Sequence, residues 1–165
     1  MTTPLLPDHL LARPDGAPDD VVFRLIQEAD WQPLRAACYP DKSLAQFRQH
    51  FAQIWDWQMN GRAHWIIATN PTGQIIGSGQ LVLYPHGSEL ANLAVIPARQ
   101  NEGIGTALIA ILTAVARHLD LTYLEIGVAA SNGRALDLYQ RLGFTIERRL
   151  HLPNQEPAVV LGMEL

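Results

Sequence analysis

The stretch Gln100-Asn101-Glu102-Gly103-Ile104-Gly105 stands between an apolar run ending at Ile96 and a segment in which Ile104, Leu108, Ile111, Leu112, Val115 and Leu119 share one helical face. That change of period across a glycine turn decides the reading of the chain. Gly103 and Gly105 remove Cβ atoms where backbone N–H groups can approach a ligand closely. The start of the helix adds unpaired donors and a partial positive charge, so the turn can hold a pyrophosphate. By itself it does not name one, and a tight strand-to-helix turn without any ligand has the same look. A Rossmann fingerprint wants a further glycine where Leu108 stands, and a Walker loop wants Gly-Lys-Ser/Thr, which is absent.

Reading outward from the turn, residues 88–96 are a strand, 104–118 a helix and 121–129 another strand. Such a crossover makes a parallel pair, right-handed in nearly every case. Residues 132–142 form a further helix with Ala135, Leu138, Tyr139 and Leu142 on one face, and Gly143 is placed to end it in the left-handed conformation. Residues 144–150 and 158–163 close the chain as a strand pair joined by the turn-rich segment 153–157. On the other side, residues 64–69 and 74–84 are strands joined by the turn Asn70-Pro71-Thr72-Gly73, with Gly77 and Gly79 marking a bulge or bend. Ser43 caps a helix of residues 43–59, in which Leu44, Phe47, Phe51, Ile54 and Trp55 recur at steps of three and four. Residues 28–37 read as a helix weakened by Pro33, whose ring is tolerated only near a helix start, and 21–26 as a short strand. The expected class is α/β: a mixed, mostly antiparallel sheet with one parallel βαβ crossover and helices on both faces. Residues 1–20, holding Pro4, Pro7, Pro14, Gly16 and Pro18, read as an irregular N-terminal tail, and residues 21–165 as one domain.

Bulk properties exclude several classes. The 165 residues fit one domain, and 48% hydrophobic with 17% charged residues suits a core-forming chain rather than a disordered one. Net charge is -4 and no basic run exceeds Arg148-Arg149, which argues against nucleic acid as a partner. The single cysteine, Cys38, can make no internal disulfide and points to a reducing, cytoplasmic setting. No secretory leader is legible at the N-terminus, and the longest apolar stretch, 104–116, is too short to span a bilayer, so no membrane partner is expected. His50, His64, His86, His118 and His151 form no metal-ligand pattern, so no metal is expected.

Combination strengthens the glycine turn. Leu93-Ala94-Val95-Ile96-Pro97, then Gln100-x-x-Gly103-x-Gly105, then Asn132-x-x-Ala135-x-x-Leu138-Tyr139-x-x-x-Gly143-Phe144 resembles the GNAT superfamily of acyl-CoA-dependent N-acetyltransferases. The likeness covers roughly residues 21–164, with Asn101 a mild departure where glycine or arginine is commoner. It implies acetyl-CoA as co-substrate and an amine as acceptor. It also implies a V-shaped gap between strands 88–96 and 121–129, where the pantetheine arm would meet backbone around Leu93, Ala94 and Val95. The amides of Gln100, Asn101, Glu102, Gly103, Ile104, Gly105 and Thr106 would hold the pyrophosphate.

Acetyl transfer from a thioester to an amine needs a neutral nucleophile, support for the oxyanion and a proton for the departing thiolate. Asn132 and Tyr139 lie seven residues apart, about 700° around a helix, so they share a face roughly 10 Å apart along the axis. By resemblance Tyr139 is the general acid, and Asn132 touches coenzyme A. Read from the residues alone, the same pair is a core aromatic and a helix cap. Glu89 resembles a base found in the histone-acetylating branch, and alternation puts it on the face of Ala91 and Leu93. Glu125 on the neighbouring strand is its rival. Cys38 has no base near it in sequence and is not expected to carry an acyl group. The aromatic-rich region of Trp31, Tyr39, Phe47, Trp55 and Trp57 can line an acceptor pocket, although Phe47, Phe51 and Trp55 also match a core face. The amine, the acyl-chain preference and a homodimer stay open, as does a non-catalytic acyl-CoA-sensing module.

Overall fold

The structure is a computed structural model that describes residues 6–165. The first five residues of the expected N-terminal tail lie outside the described residues. After a one-turn 3-10 helix, Asp8–Leu11, the strand β1 (Val22–Leu25) leads into α1 (Trp31–Cys38) and α2 (Leu44–Met59). Three strands follow: β2 (Ala63–Thr69), β3 (Ile75–Tyr84) and β4 (Gly87–Val95). Then come α3 (Ile104–His118), β5 (Tyr123–Ala129), α4 (Gly133–Arg141), β6 (Thr145–Leu150) and β7 (Ala158–Glu164). All strands join one seven-stranded sheet in the order β1-β2-β3-β4-β5-β7-β6. Every neighbouring pair is antiparallel except β4–β5, the crossover pair.

Local chemistry accounts for the helix ends. The Ser43 hydroxyl accepts from the Gln46 amide at 3.1 Å and caps α2. Pro33 falls in the first turn of α1, where its missing N–H has no helical partner to lose. Gly143 sits at φ 102° after α4, and the Phe144 amide reaches back to the Tyr139 carbonyl at 3.0 Å. Phe144, almost wholly buried, anchors that end of α4 and meets the Tyr139 ring edge-on at 6.3 Å.

The sheet divides the core in two. On one face lie α3 and α4, with Leu108, Ile111, Leu112 and Val115 of α3 packed on Ile66, Leu81, Leu90, Leu124 and Ile126. On the other lie α1 and α2, with Leu34, Phe47, Phe51 and Ile54 around Trp65, Ile67 and Val82. Burying each such side chain contributes about 1.5–3 kcal/mol. Trp65 is fully enclosed, and its indole N–H donates to the Ser78 hydroxyl at 2.6 Å, so its polar atom stays bonded inside the core. Residues 6–20 wrap onto the α3 face: Leu6 is buried in that core, and Leu10, Leu11 and Ala17 pack against it. Among the described residues, no helix is long and apolar enough to cross a membrane.

Candidate active site

β4 and β5 pair only at Glu89 with Glu125 and at Leu90 with Ile126. Beyond those rungs the strands part, leaving β4 from Ala91 to Val95 without a ladder on its β5 side. A bulge sits at the fork. Gln80 opposes Ala91 while Ser78 opposes Ala94, so β4 carries an extra residue there, and Asn92 takes φ 50°. The bulge resets the alternation. Ala91 packs with the α1–α2 core, whereas Leu93 and Val95 pack with the α3 core. The expectation that Glu89, Ala91 and Leu93 share a face is therefore corrected, because a period of two does not survive an inserted residue.

The glycine turn follows. Gln100 ties it to β4 by donating its side-chain amide to the Val95 carbonyl at 3.1 Å. The first helical bond of α3 runs from the Ala107 amide to the Gly103 carbonyl at 2.9 Å, so the amides of Ile104, Gly105 and Thr106 have no partner one turn back. The two glycines play different parts. Gly103 stands at φ 91°, and a Cβ there would lie 2.9 Å from the Gly16 carbonyl oxygen. Its lack of a side chain serves the backbone turn and the N-terminal arm, while the residue itself also lines the cavity described below. At Gly105 a Cβ would meet only Val95 at 3.8 Å, an ordinary contact. Arg99 braces the turn through Asp20 of the arm and through Glu102, each at 2.9 Å.

α4 faces this turn across the fork. The Asn132 side chain accepts from the Ala135 amide at 3.1 Å and caps the helix, while Arg134 donates to the Asn101 side chain. Together they enclose a cavity of about 540 Å³ that reaches from Leu93, Ala94 and Val95 past Gln100, Asn101 and Gly103–Thr106 to Asn132 and Tyr139. Arg99, Arg134 and Arg141 also line it, and the sequence reading had not singled them out. Of the loop residues expected there, only Glu102 is outside the lining, its carboxylate turned onto Arg99. Tyr139 is mostly buried, and burial raises its phenol above the usual value, so at neutral pH it holds its proton. The cavity thus offers backbone amides, guanidinium groups, apolar walls and a phenol. Those features fit a phosphate-bearing thioester.

Glu89 and Glu125 are partners on the same rung and differ sharply. Arg148 grips Glu125 at 2.8 and 3.2 Å and lowers its pKa. Glu89 is half-buried, and its pKa is raised mainly by desolvation and further by Glu125, against lowering by a Tyr84 hydrogen bond and by Arg148. Glu89 lies outside the lining of the large cavity, at the closed end of the fork. Cys38 is pushed up to about 12 by burial, which leaves a thiol rather than a thiolate.

A second cavity, about 240 Å³, opens on the opposite face of β4. Tyr39, Lys42, Gln46, Phe47, His50 and Asn92 line it. Tyr39 donates its hydroxyl to the Asn92 carbonyl at 2.6 Å and stacks on Phe47 at 5.3 Å, so one wall is pinned to the bulge itself. The His50 Nε2 lies 3.3 Å from the Gln80 amide nitrogen and 3.4 Å from that of Asn92. Burial and the nearby Lys42 lower the His50 pKa, which keeps the ring neutral. Of the aromatic residues expected near an acceptor, Tyr39 and Phe47 line this cavity, while Trp31 and Trp55 pack against the α1–α2 core. Trp57 lies against Tyr84 at 6.2 Å with the Arg62 guanidinium over its ring at 4.9 Å. His50, Gln46 and Asn92 escaped the sequence reading. The only signal was His50 three positions after Phe47 on one helical stripe, which does not distinguish a pocket from a core.

Comparison with known proteins agrees with this architecture. A family model described as the acetyltransferase (GNAT) family matches residues 26–144. Mycothiol acetyltransferase of Jonesia denitrificans is 26% identical over 99% of this chain, which spans only 52% of that protein's length. The aminoglycoside N(6')-acetyltransferase type 1 of Klebsiella aerogenes is 24% identical over 71% of this chain and 82% of its own. A GNAT family acetyltransferase from Elizabethkingia anophelis, solved with acetyl-CoA bound, superposes with a TM-score of 0.66 at 23% identity. That likeness of fold covers 90% of this chain and 100% of the other.

Proposed function

The chain belongs to the acetyltransferase (GNAT) family, and from that premise we propose that it moves an acetyl group from acetyl-CoA directly to a primary amine in a ternary complex. One observation carries the reading. The unpaired edge of β4, the donor-rich start of α3 and the phenol of Tyr139 line a single cavity at the fork of the sheet. The phosphates of acetyl-CoA bind the amides of Ile104, Gly105 and Thr106, with Arg134 and Arg141 adding charge. Pantetheine lies along β4 beside Leu93 and Val95, and Asn132 borders its path.

In the reaction, the neutral amine attacks the thioester carbonyl carbon, a C–N bond forms, and the C–S bond breaks. A backbone N–H near Leu93 or Ala94 polarises the carbonyl oxygen. Tyr139 gives its proton to the departing thiolate. Glu89, whose raised pKa suits a base better than the arginine-locked Glu125, accepts the ammonium proton through water, since it stands back from the cavity. Isothermal titration with acetyl-CoA, NAD and ATP tests the site: micromolar binding of acetyl-CoA alone is expected. Release of free coenzyme A on adding an amine separates an enzyme from a module that only senses acyl-CoA. Equal affinity for NAD, or no acetyl-CoA binding, would end this assignment.

A further inference from the structure

The two cavities meet at the β4 bulge. Asn92 lines the smaller and Leu93 the larger, so a molecule held against Asn92 lies one residue from the path proposed for the acetyl donor. Resting on the acetyltransferase reading above, we infer that the smaller cavity is the acceptor site and that its ligand is a small amine carrying a carboxylate, of amino-acid type. Three observations lead there. The lining contains no aspartate or glutamate, so nothing in it neutralises a polycation. Lys42 supplies the one cationic side chain of the lining, and among the described residues no carboxylate lies within 4.0 Å of its ammonium. The rest of the lining is Tyr39, Phe47 and the His50 ring with the amides of Gln46 and Asn92, which fits a flat or apolar body with polar groups beside it.

Size agrees with this class. A volume of about 240 Å³ is smaller than the roughly 300–1,000 Å³ of sites for drug-sized ligands, and it suits a single amino acid. The charges are separated in the same sense. Lys42 stands at the α2 end, while Glu89 lies three residues back along β4 from Asn92, roughly 10 Å at strand rise. In this proposal the amino acid binds its carboxylate at Lys42 and presents its amine beside Asn92, next to the fork.

The experiment compares L-phenylalanine, L-phenylalaninamide and spermidine as acceptors, following free coenzyme A released from acetyl-CoA, with titration of acetyl-CoA run alongside. The expected result is kcat/KM for phenylalanine at least tenfold above both others. Lys42→Glu should remove that preference by raising the KM for phenylalanine at least tenfold, with acetyl-CoA affinity unchanged. Lys42→Arg should restore most of it. Preference for the amide would overturn the proposal and point to a peptide N-terminus, and preference for spermidine would overturn it in favour of a polyamine. A Lys42→Glu variant with the wild-type preference would also overturn it. Loss of acetyl-CoA binding in the wild-type protein would instead strike the parent reading, so the two failures are separable.

Discussion

The two faces of β4 build their cavities from different materials. Toward α3 and α4, the larger cavity joins backbone groups of an unpaired strand edge, a glycine turn and a helix start to side chains of α4. Toward α1 and α2, the smaller one is made of side chains from two helices and a bulge. Backbone donors are indifferent to most substitutions and serve a constant group such as a pyrophosphate. Side chains can change one by one, and they serve the partner that varies. On the function proposed above, one strand thus separates a constant chemical task from an adjustable one.

That contrast can be broken by mutation. The largest effect is expected for Tyr139→Phe, which should lower kcat by about 10²–10⁴ while acetyl-CoA affinity stays near wild type. Unchanged turnover would remove the general acid. Next come the two glycines, which the structure makes separable. Gly103→Val forces a side chain to φ 91° against the Gly16 carbonyl, so it should cost about 1–2 kcal/mol of stability, seen in a thermal melt. Gly105→Val has no such conflict, so its melt should match wild type while acetyl-CoA binds at least about tenfold, or 1.4 kcal/mol, more weakly. Equal acetyl-CoA affinity in Gly105→Val would show that the turn does not hold the phosphates.

Smaller effects should stay on their own side of the strand. Tyr39→Phe deletes the bond to the Asn92 carbonyl, worth about 0.5–1.5 kcal/mol, and should raise the acceptor KM several-fold without touching acetyl-CoA affinity. A matching loss of acetyl-CoA affinity would mean the bulge couples the two sites rather than dividing them. The smallest change is a shift in pH profile. Because the Glu89 pKa is raised, activity should fall on acidification at a pH above that of an ordinary glutamate. Arg148→Ala removes a cation that lowers that pKa, so the acid limb should move to higher pH. A limb that moves down, or does not move, would argue against Glu89 as the base.

What the sequence disclosed follows the same division. The elements and the crossover were legible because their signals are local: glycine and proline turns, Ser43 before an amphipathic stripe, and an apolar period that changes at Gly103. The large cavity was legible for the same reason, since its loop and helix caps are written in short spacings. The small cavity was not. Its lining comes from residues 39–50 and from Asn92, brought together only by helix packing and by a bulge that shifts register. Gly77 marks a true irregularity, since β3 carries an extra residue between Ile75 and Gly77 opposite Ala68 and Thr69, but the bulge at the fork is in β4, where no glycine marks it. Gly103 was read as room for a ligand, and its second constraint, a distant carbonyl beside a left-handed φ, is not written in any short spacing.

The arm of residues 6–20 touches the glycine turn at the Gly16 carbonyl and through the Asp20–Arg99 ion pair. On the function proposed above, the arm and acetyl-CoA are, in thermodynamic terms, two ligands of one loop. If docking the arm tightens the grip on acetyl-CoA by some factor, acetyl-CoA must tighten the docking of the arm by that same factor. The first residues of the fold would then report, through their resistance to proteolysis, whether the far end of the sheet is loaded.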